Sequence, residues 1–480
     1  MAITLIILLV IIISNIIFSF SLIFMERKEP TTTWAWLLIM ILLPGLGFII
    51  YILLGQNLSR ERLFKEKKEV DRAKRLELSK HWKESSNGHH ASKKFLDLRK
   101  MNYNHCGAKY TLGNKVDIYY NGVDKFNQLL KDLRNAKKYI HIEYYIFRRD
   151  GKKGIGTKIL KILHEKVKEG VEVRLLVDSM GSYKITKKSL KEFINDGGKF
   201  EIFFPGILPH INTRINYRNH RKMVIIDGIY GYTGGFNVGK EYINEDPKIG
   251  FWRDTHIRIQ GDAVNDLNDR FLLDWCYASG EEIDDFSKYY RTDSFKGGDV
   301  GVQIVTSGPD HNEQYIKNAY IKLINDAKKN VYIETPYFVP DESMLEAIRI
   351  SALSGVDVRI IIPGKPDHMF MKWAASSYIG DLLDVGVKVY SYNNGFIHAK
   401  TIVCDSEVAT IGTANLDIRS FSLNFEVNAF IFDDRVAKNV ENQVFKDIEY
   451  SKLITLEEYQ NRPRNLRIKE SIIRLISPIL

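Results

Sequence analysis

The chain has 480 residues, a formal net charge of +10 and three cysteines. At about 150 residues per domain this length allows roughly three domains and a sizeable core. Cys106, Cys276 and Cys404 are far apart and show no C-x-x-C or Cys/His spacing. That argues against a disulfide scaffold or structural zinc and for a reducing compartment, while the positive charge favours an anionic partner, nucleic acid or lipid surface.

Residues 2–24 are uncharged and almost wholly apolar, and residues 34–54 form a second such run. A helix needs about 20 such residues to cross a bilayer core. No basic region precedes the first run and no small-residue cleavage site follows it, so it reads as a retained anchor. The short connection predicts a transmembrane helical hairpin over residues 1–56. Trp34, Trp36 and Tyr51 stand near the ends of its second span, and Pro44-Gly45 predicts a kink. Arg60, Arg62, Lys65, Lys67, Lys68, Arg72, Lys74 and Arg75 follow. By the positive-inside rule they put the rest of the chain in the cytoplasm, as part of a two-span protein of the cell membrane. Residues 57–108 read as a basic juxtamembrane linker, helical or partly disordered, lying on anionic headgroups. His89-His90 reads as a solvated pair.

From about residue 109 strands and helices alternate, and the pattern occurs twice, over 109–295 and 296–480. The first repeat predicts helices at 122–137, 156–168 and 186–196, with strands at 139–146, 170–178 and 200–204. The second predicts helices at 312–328, 342–354 and 374–385, with strands at 331–338, 355–362 and 387–390. Such alternation predicts an α/β protein of two α/β/α sandwich halves related by a pseudo-twofold axis. Gly154-Ile155-Gly156 lacks the third glycine and the strand context of a nucleotide loop. Residues 467–476 mix basic and apolar residues at helical spacing, fit either to lie on a membrane or to pack on the body.

Each repeat ends in the same pattern. His220, Lys222 and Asp227 are followed by Gly234, Gly235 and Asn237; His398, Lys400 and Asp405 are followed by Gly412 and Asn415. Both read H-x-K-x4-D, with an asparagine ten residues beyond the aspartate. The segment between His and Asp is β-prone, and residues two apart on a strand share a face, so each His and Lys point together. Asp-Gly and Asp-Ser then predict tight turns into a returning strand. These residue types suit phosphoryl transfer. One neutral imidazole can attack phosphorus while a second protonates the leaving oxygen. Two lysines and two asparagine amides, Asn237 and Asn415, can hold the equatorial oxygens, so no metal and no cofactor is required. A nucleophile plus a general acid needs two histidines, which is a physical reason for the duplication. Asp227 and Asp405 complete the candidate catalytic set, although as turn residues they could equally cap the turn.

The doubled motif resembles the phospholipase D superfamily, in which two such motifs make one active site. With the hairpin, the chain is similar to the bacterial cardiolipin synthases of that superfamily; the resemblance covers the hairpin and everything from about Lys109 onward. It implies that both histidines converge at the interface of the two halves. A nucleophilic histidine needs an acid on its far nitrogen, and the similarity makes Asp254 and Glu426, each on a strand-like segment after its motif, the orienting candidates. Glu143 and Glu334 occupy equivalent points of their repeats, as active-site contacts or as surface charges at strand ends. His210 and His256 read as surface or structural. The implied reaction starts with His220 attacking one phosphatidylglycerol, while His398 protonates the departing glycerol. The hydroxyl of a second phosphatidylglycerol then opens the phosphohistidine. The implied partners are phosphatidylglycerol and anionic lipids, with no nucleic acid. A tethered hydrolase using water, or a tethered nuclease, would use the same motifs; a non-catalytic scaffold is at odds with six intact motif residues.

Overall fold

The structure, a computed structural model, describes residues 2–25, 30–54, 64–71, 95–205, 216–291, 293 and 295–477. The His89-His90 pair and His210 lie outside the described residues.

The N-terminal runs are helical. Ala2–Met25 is one helix, and the second run is two, Pro30–Leu42 and Leu46–Leu54. The break falls at the expected Pro44-Gly45, where Gly45 takes φ +79°, a conformation that costs glycine little. The helices pack on one another: Asn15 Nδ2 donates to the Met40 carbonyl at 2.9 Å, and Leu22, Trp36, Met40 and Tyr51 form a small buried cluster. The side chains of Ala2–Met25 are described only in part, and among the fully described residues no helix is long and apolar enough to cross a membrane.

The described parts of the expected linker are helical, one of the two forms expected, and are held by the body. Residues 64–71 form a helix whose Phe64 and Lys67 are buried. The helix Leu96–Cys106 is anchored by Phe95 and Leu98, both buried in the core of the body with Ile316 and Leu323. These stretches bury aromatic and apolar side chains against the protein, so they are not free to lie on headgroups.

The strands fall into two matching runs. In the first, Lys199–Phe203, Glu172–Asp178 and Tyr139–Tyr144 are parallel, followed by antiparallel Lys222–Ile226, Tyr230–Gly234 and His256–Gln260. In the second, Lys388–Tyr392, Asp357–Pro363 and Asn330–Glu334 are parallel, followed by antiparallel Thr401–Cys404, Val408–Gly412 and Asn424–Phe432. Tyr139–Tyr144, Lys222–Ile226, Thr401–Cys404 and Asn424–Phe432 are buried throughout, as strands covered on both faces must be.

The two runs are not separate sheets. Tyr110–Tyr119 pairs with Val300–Ser307 through its first residues and with His256–Gln260 through its last. A register irregularity between Thr111 and Asn114, with Gly113 at φ +86°, falls within the first pairing, just before the second begins at Lys115. An extra residue in one strand bends it, which lets a single strand serve both runs and joins them into one sheet.

Helices cover the faces for ordinary reasons. Gly122–Asn135 is capped by Asn121, whose side chain accepts from the Asp124 amide, and it buries Phe126, Leu129, Leu130 and Leu133 along one stripe. Two helices, Ala263–Ser279 and Asp434–Glu449, contribute Leu267, Phe271, Val440 and Val444 to one apolar cluster shared by both runs. The expected helix at 186–196 is present as a 3-10 turn, Lys188–Leu190, running into a short α-helix, Lys191–Asn195. The one expected at 374–385 begins earlier, at Met369. The C-terminal helix Arg464–Ile476 packs on Met369–Leu383: Arg474 donates to the Ser377 carbonyl at 2.9 Å and Ile473 is buried. Its Ile468, Ile472 and Leu475 stay exposed.

Candidate active site

Two parallel pairings, each two residues long, bring the motifs together. Arg218–Asn219 runs parallel to Asn424–Phe425, and Phe396–Ile397 runs parallel to Trp252–Arg253. Each pair joins one run to the other, and each stops one residue before a motif histidine. The His220 amide donates to the Phe425 carbonyl at 3.0 Å, and the His398 amide donates to the Arg253 carbonyl at 2.7 Å. The next residue on each partner strand is an acid. Glu426 therefore meets His220, its two carboxylate oxygens 2.9 and 3.0 Å from Nδ1. Asp254 meets His398, with Oδ2 2.6 Å from Nδ1. The sequence placed each acid after its own motif; in space each serves the other motif's histidine.

Burial and charge then set the protonation. Burial pushes His220 down to about 4 against the pull of Glu426, and pushes His398 down to about 4 with Lys400 adding to the effect. Burial would push the two acids up, but His220 and Lys222 hold Glu426, and His398 and Lys400 hold Asp254, below the usual carboxylate range. At neutral pH the histidines are neutral and the acids anionic. An anionic carboxylate only accepts, so each Nδ1 carries the hydrogen and each Nε2 keeps a free lone pair.

The lysines sit beside the histidines, as the strand period requires. Lys222 Nζ donates to the His220 carbonyl at 2.6 Å and Lys400 Nζ to the His398 carbonyl at 2.6 Å. Lys400 Nζ also lies 3.0 Å from His398 Nδ1. Burial lowers Lys222 to about 7, with Lys400 as the opposing like charge, and burial lowers Lys400 to about 8. Lys400 also depresses His220, and Lys222 depresses His398. The two motifs share one electrostatic site, poised for an anion.

The motif aspartates are elsewhere. Asp227 and Asp405 lie past the far ends of their strands, five residues or about 16 Å from the lysines. Each sits at positive φ, 56° and 55°. The Asp227 carboxylate accepts the amides of Lys137, Lys138 and Tyr139 at 2.7–2.8 Å. That of Asp405 accepts those of Lys328, Lys329 and Asn330 at 2.7–2.9 Å. Their assignment to the catalytic set is corrected: they fasten a helix-to-strand turn to the motif hairpin, as the turn reading allowed. We expect Asp227→Ala or Asp405→Ala to lower stability by about 3 kcal/mol or more, since three charge-assisted hydrogen bonds go. Thermal unfolding checks this, and the turnover of the folded fraction stays near the parent's.

The asparagines divide. Asn237 is engaged at both ends, accepting from the Ile146 amide at 3.1 Å and donating to the Tyr242 hydroxyl at 3.2 Å. Each end of its amide thus has one protein partner, which ties the side chain to the scaffold and leaves the second Nδ2 hydrogen beyond these two contacts. Asn415 Nδ2 donates to Asp417 at 3.0 Å, and its Oδ1 is buried with no partner among the described residues.

Glu143 and Glu334 are not surface charges: both are buried. Burial pushes both up to about 8. Glu143 accepts from Asn219, next to His220, and Glu334 accepts from Thr401, next to Lys400, at 2.8 Å. His256 is fully buried and structural.

Sequence reasoning missed two buried guanidiniums. Arg221 donates to the Glu426 carbonyl at 3.1 Å and to Asp274 on the helix Ala263–Ser279. Arg253 donates to the Asp254 carbonyl at 2.6 Å and to Asp447 on Asp434–Glu449 at 2.7 Å. Each clamps the backbone of a histidine-pairing acid to a helix of the shared core, although one arginine comes from a motif and the other from an acid strand. The signal was a lone acid in an apolar stretch, Leu272-Leu273-Asp274-Trp275.

This arrangement has relatives. A family described as "Cardiolipin synthase, PLD-like domain" matches residues 129–275 and 320–448, and one described as "Phospholipase_D-nuclease N-terminal" matches residues 3–56. In fold, the crystal structure of a phosphatidylserine synthase from Haemophilus influenzae superposes with a TM-score of 0.61 at 16% identity, covering 80% of this chain and all of that one. The fold is thus phospholipase D-like. A cardiolipin synthase of Clostridium perfringens strain SM101 is 52% identical over 459 residues, 95% of each chain. The major cardiolipin synthase ClsA of Bacillus subtilis strain 168 is 50% identical over 474 residues, 97% of each. The chain belongs to the bacterial cardiolipin synthase family of the phospholipase D superfamily.

Proposed function

We propose that the protein makes cardiolipin from two molecules of phosphatidylglycerol by phosphatidyl transfer through a histidine. The observation that carries the mechanism is the crossed pairing of His220 with Glu426 and of His398 with Asp254. Each imidazole then offers Nε2 to substrate with its tautomer fixed.

The two histidines differ in a way that supports one order of roles. His220 Nδ1 faces both oxygens of a carboxylate, which makes Nε2 electron-rich. His398 Nδ1 has the Lys400 ammonium at 3.0 Å as well as its acid, which favours giving up a proton. His220 Nε2 attacks phosphorus, and the bond from phosphorus to the glycerol headgroup oxygen breaks. A protonated His398 gives its proton to that oxygen and glycerol leaves. The incoming phosphodiester anion supplies the charge that lets His398, neutral before substrate binds, take up a proton from solvent despite burial. The hydroxyl of a second phosphatidylglycerol then attacks the phosphohistidine and passes its proton to His398. The nitrogen–phosphorus bond breaks, and His220 is neutral again. Lys222 and Lys400 neutralise the equatorial oxygens throughout.

The N-terminal helices fit a membrane anchor. Ile6, Leu9, Val10, Ile13, Ile16 and Ile17 turn outward and are exposed, an apolar surface that water disfavours and lipid does not. With this hairpin in the cell membrane, the two repeats, 109–295 and 296–480, stand on the cytoplasmic side. The substrate assignment is tested with labelled phosphatidylglycerol in membranes carrying the protein. Cardiolipin and free glycerol in equal amounts are expected; phosphatidic acid as the main product would overturn the transfer and make water the acceptor.

A further inference from the structure

Between the hairpin and the sheet, the helix at residues 64–71 is seated against the strand that carries Glu426. Phe64 meets Phe204, Tyr217 and Phe425 edge-on, with ring centroids 5.9, 5.3 and 5.6 Å apart. One turn on, Lys67 is 2% exposed. Its Nζ lies 2.8 Å from Asp71, 3.3 Å from Asp274 and 3.6 Å from Asp310, and 5.4 Å above the Phe425 ring. Asp71 receives Arg270 at 2.8 Å, and Arg270 also grips Asp274 at 2.8 Å. Lys65, Glu66, Lys68 and Glu69 face outward.

Two routes therefore run from this helix to His220. The first is by contact: Phe64 and Lys67 press on Phe425, whose carbonyl takes the His220 amide and whose neighbour Glu426 holds Nδ1. The second is by charge. Among the described residues, Lys67, Arg221 and Arg270 face Asp71, Asp274 and Asp310 in a buried cluster, beside the Glu143 carboxyl, which burial pushes up. Arg221 is the middle residue of the first motif and also clamps the Glu426 carbonyl. A buried lysine in such a set is costly to remove, because the carboxylates stay behind.

We propose that Phe64 and Lys67 are positioning residues for phosphatidyl transfer, holding Phe425 and Glu426 against His220, so that the segment joining the hairpin to the body is needed for turnover as well as attachment. This rests on the reading of His220 and Glu426 given above. The charge balance gives the proposal a second consequence. His220 is faced by Glu426, Lys222, Lys400 and the Tyr145 phenol ring, and loss of Lys67 removes one positive charge from the neighbouring cluster. His220 then holds its proton more tightly, and the acid limb of kcat/KM moves to higher pH.

The test uses the full-length protein in membranes, with phosphatidylglycerol as substrate. Lys67→Met and Phe64→Ala are expected to lower kcat by about tenfold or more at nearly unchanged KM. Lys67→Met also shifts the acid limb upward, and Lys67→Arg recovers most of the loss. The exposed neighbour Lys68→Ala serves as the control and keeps parental turnover. Parental kcat and pH profile in membrane-inserted, folded Lys67→Met would overturn the proposal. If Lys67→Met does not accumulate, Phe64→Leu, which keeps apolar bulk without the ring contacts, gives the same decision: unchanged kcat overturns it. The product made by the unaltered protein is scored separately. Phosphatidic acid there would unseat the transfer reading, whereas the ratio of variant to parent still decides the role of the helix.

Discussion

His220→Ala abolishes cardiolipin formation, and His398→Ala reduces it to a trace, each by roughly 10⁴-fold or more, as expected when a nucleophile or its acid partner is removed. The informative result is how the two variants part company on an activated substrate. A phosphodiester whose leaving group is an acidic phenol needs no proton to depart. With it, His398→Ala is expected to release the phenol at near-parental rate in a single burst and to accumulate protein carrying an acid-labile phosphoryl group. No such burst is expected from His220→Ala, because no bond to phosphorus can form. The opposite pattern would exchange the two roles. The ammonium 3.0 Å from His398 Nδ1, with His220 Nδ1 instead facing both oxygens of Glu426, is the reason for the order given.

Neutralising the crossed acids gives the second large effect. Glu426→Gln and Asp254→Asn keep shape but replace an acceptor-only anion with a neutral amide that can also donate, so the hydrogen is no longer held on Nδ1. Loss of a comparable tautomer-fixing carboxylate in a Ser-His-Asp triad costs on the order of 10⁴ in turnover. We expect losses of roughly 10³-fold or more in each variant. The pH profile supplies the sign. Burial drives His220 down to about 4, and Glu426 is the largest charge opposing it; in Glu426→Gln the acid limb of kcat/KM therefore moves to lower pH. The alkaline limb moves down as well. Lys222, at about 7, has Glu426 as its largest favourable charge, and Lys400, at about 8, has Asp254. A lysine binds phosphate only while protonated, that is, below its pKa, so removing either acid makes the loss of binding begin earlier as pH rises. A profile unchanged in both limbs would mean that the acids do not act through these groups.

Much of this site was legible in the chain. Two histidines and two lysines at matched positions, each followed by a β-prone run and a turn, are enough to place both pairs on strand faces. The alternation around them gives the helices and the parallel strands. What escaped has physical causes. The crossing depends on two-residue pairings, 218–219 with 424–425 and 252–253 with 396–397, which are too short to leave any period of their own. The joining of the sheet depends on a bulge near Gly113, and bulges leave little trace in sequence. Asp227 and Asp405 are part of a catalytic-looking pattern, yet their carboxylates bind amides 88 to 90 and 75 to 77 residues away along the chain. Lys67 sits in Lys65-Glu66-Lys67-Lys68-Glu69, where composition says solvent; only the partners Asp71, Asp274 and Asp310 distinguish it from its neighbours.

The exchange of acids between the two motifs bears on how such a protein could have arisen. A chain with one copy of the motif owns a histidine and an acid that cannot reach each other. Two such chains related by a twofold axis would each lend the acid the other lacks, so a single-copy ancestor would have worked only as a pair. Duplication and fusion make that partnership permanent and also release the copies from being identical. The present chain has used that freedom: a glutamate stands on one side and an aspartate on the other, and Arg221 in one motif is matched by Ala399 in the other, where Arg253 fills the place from across the seam.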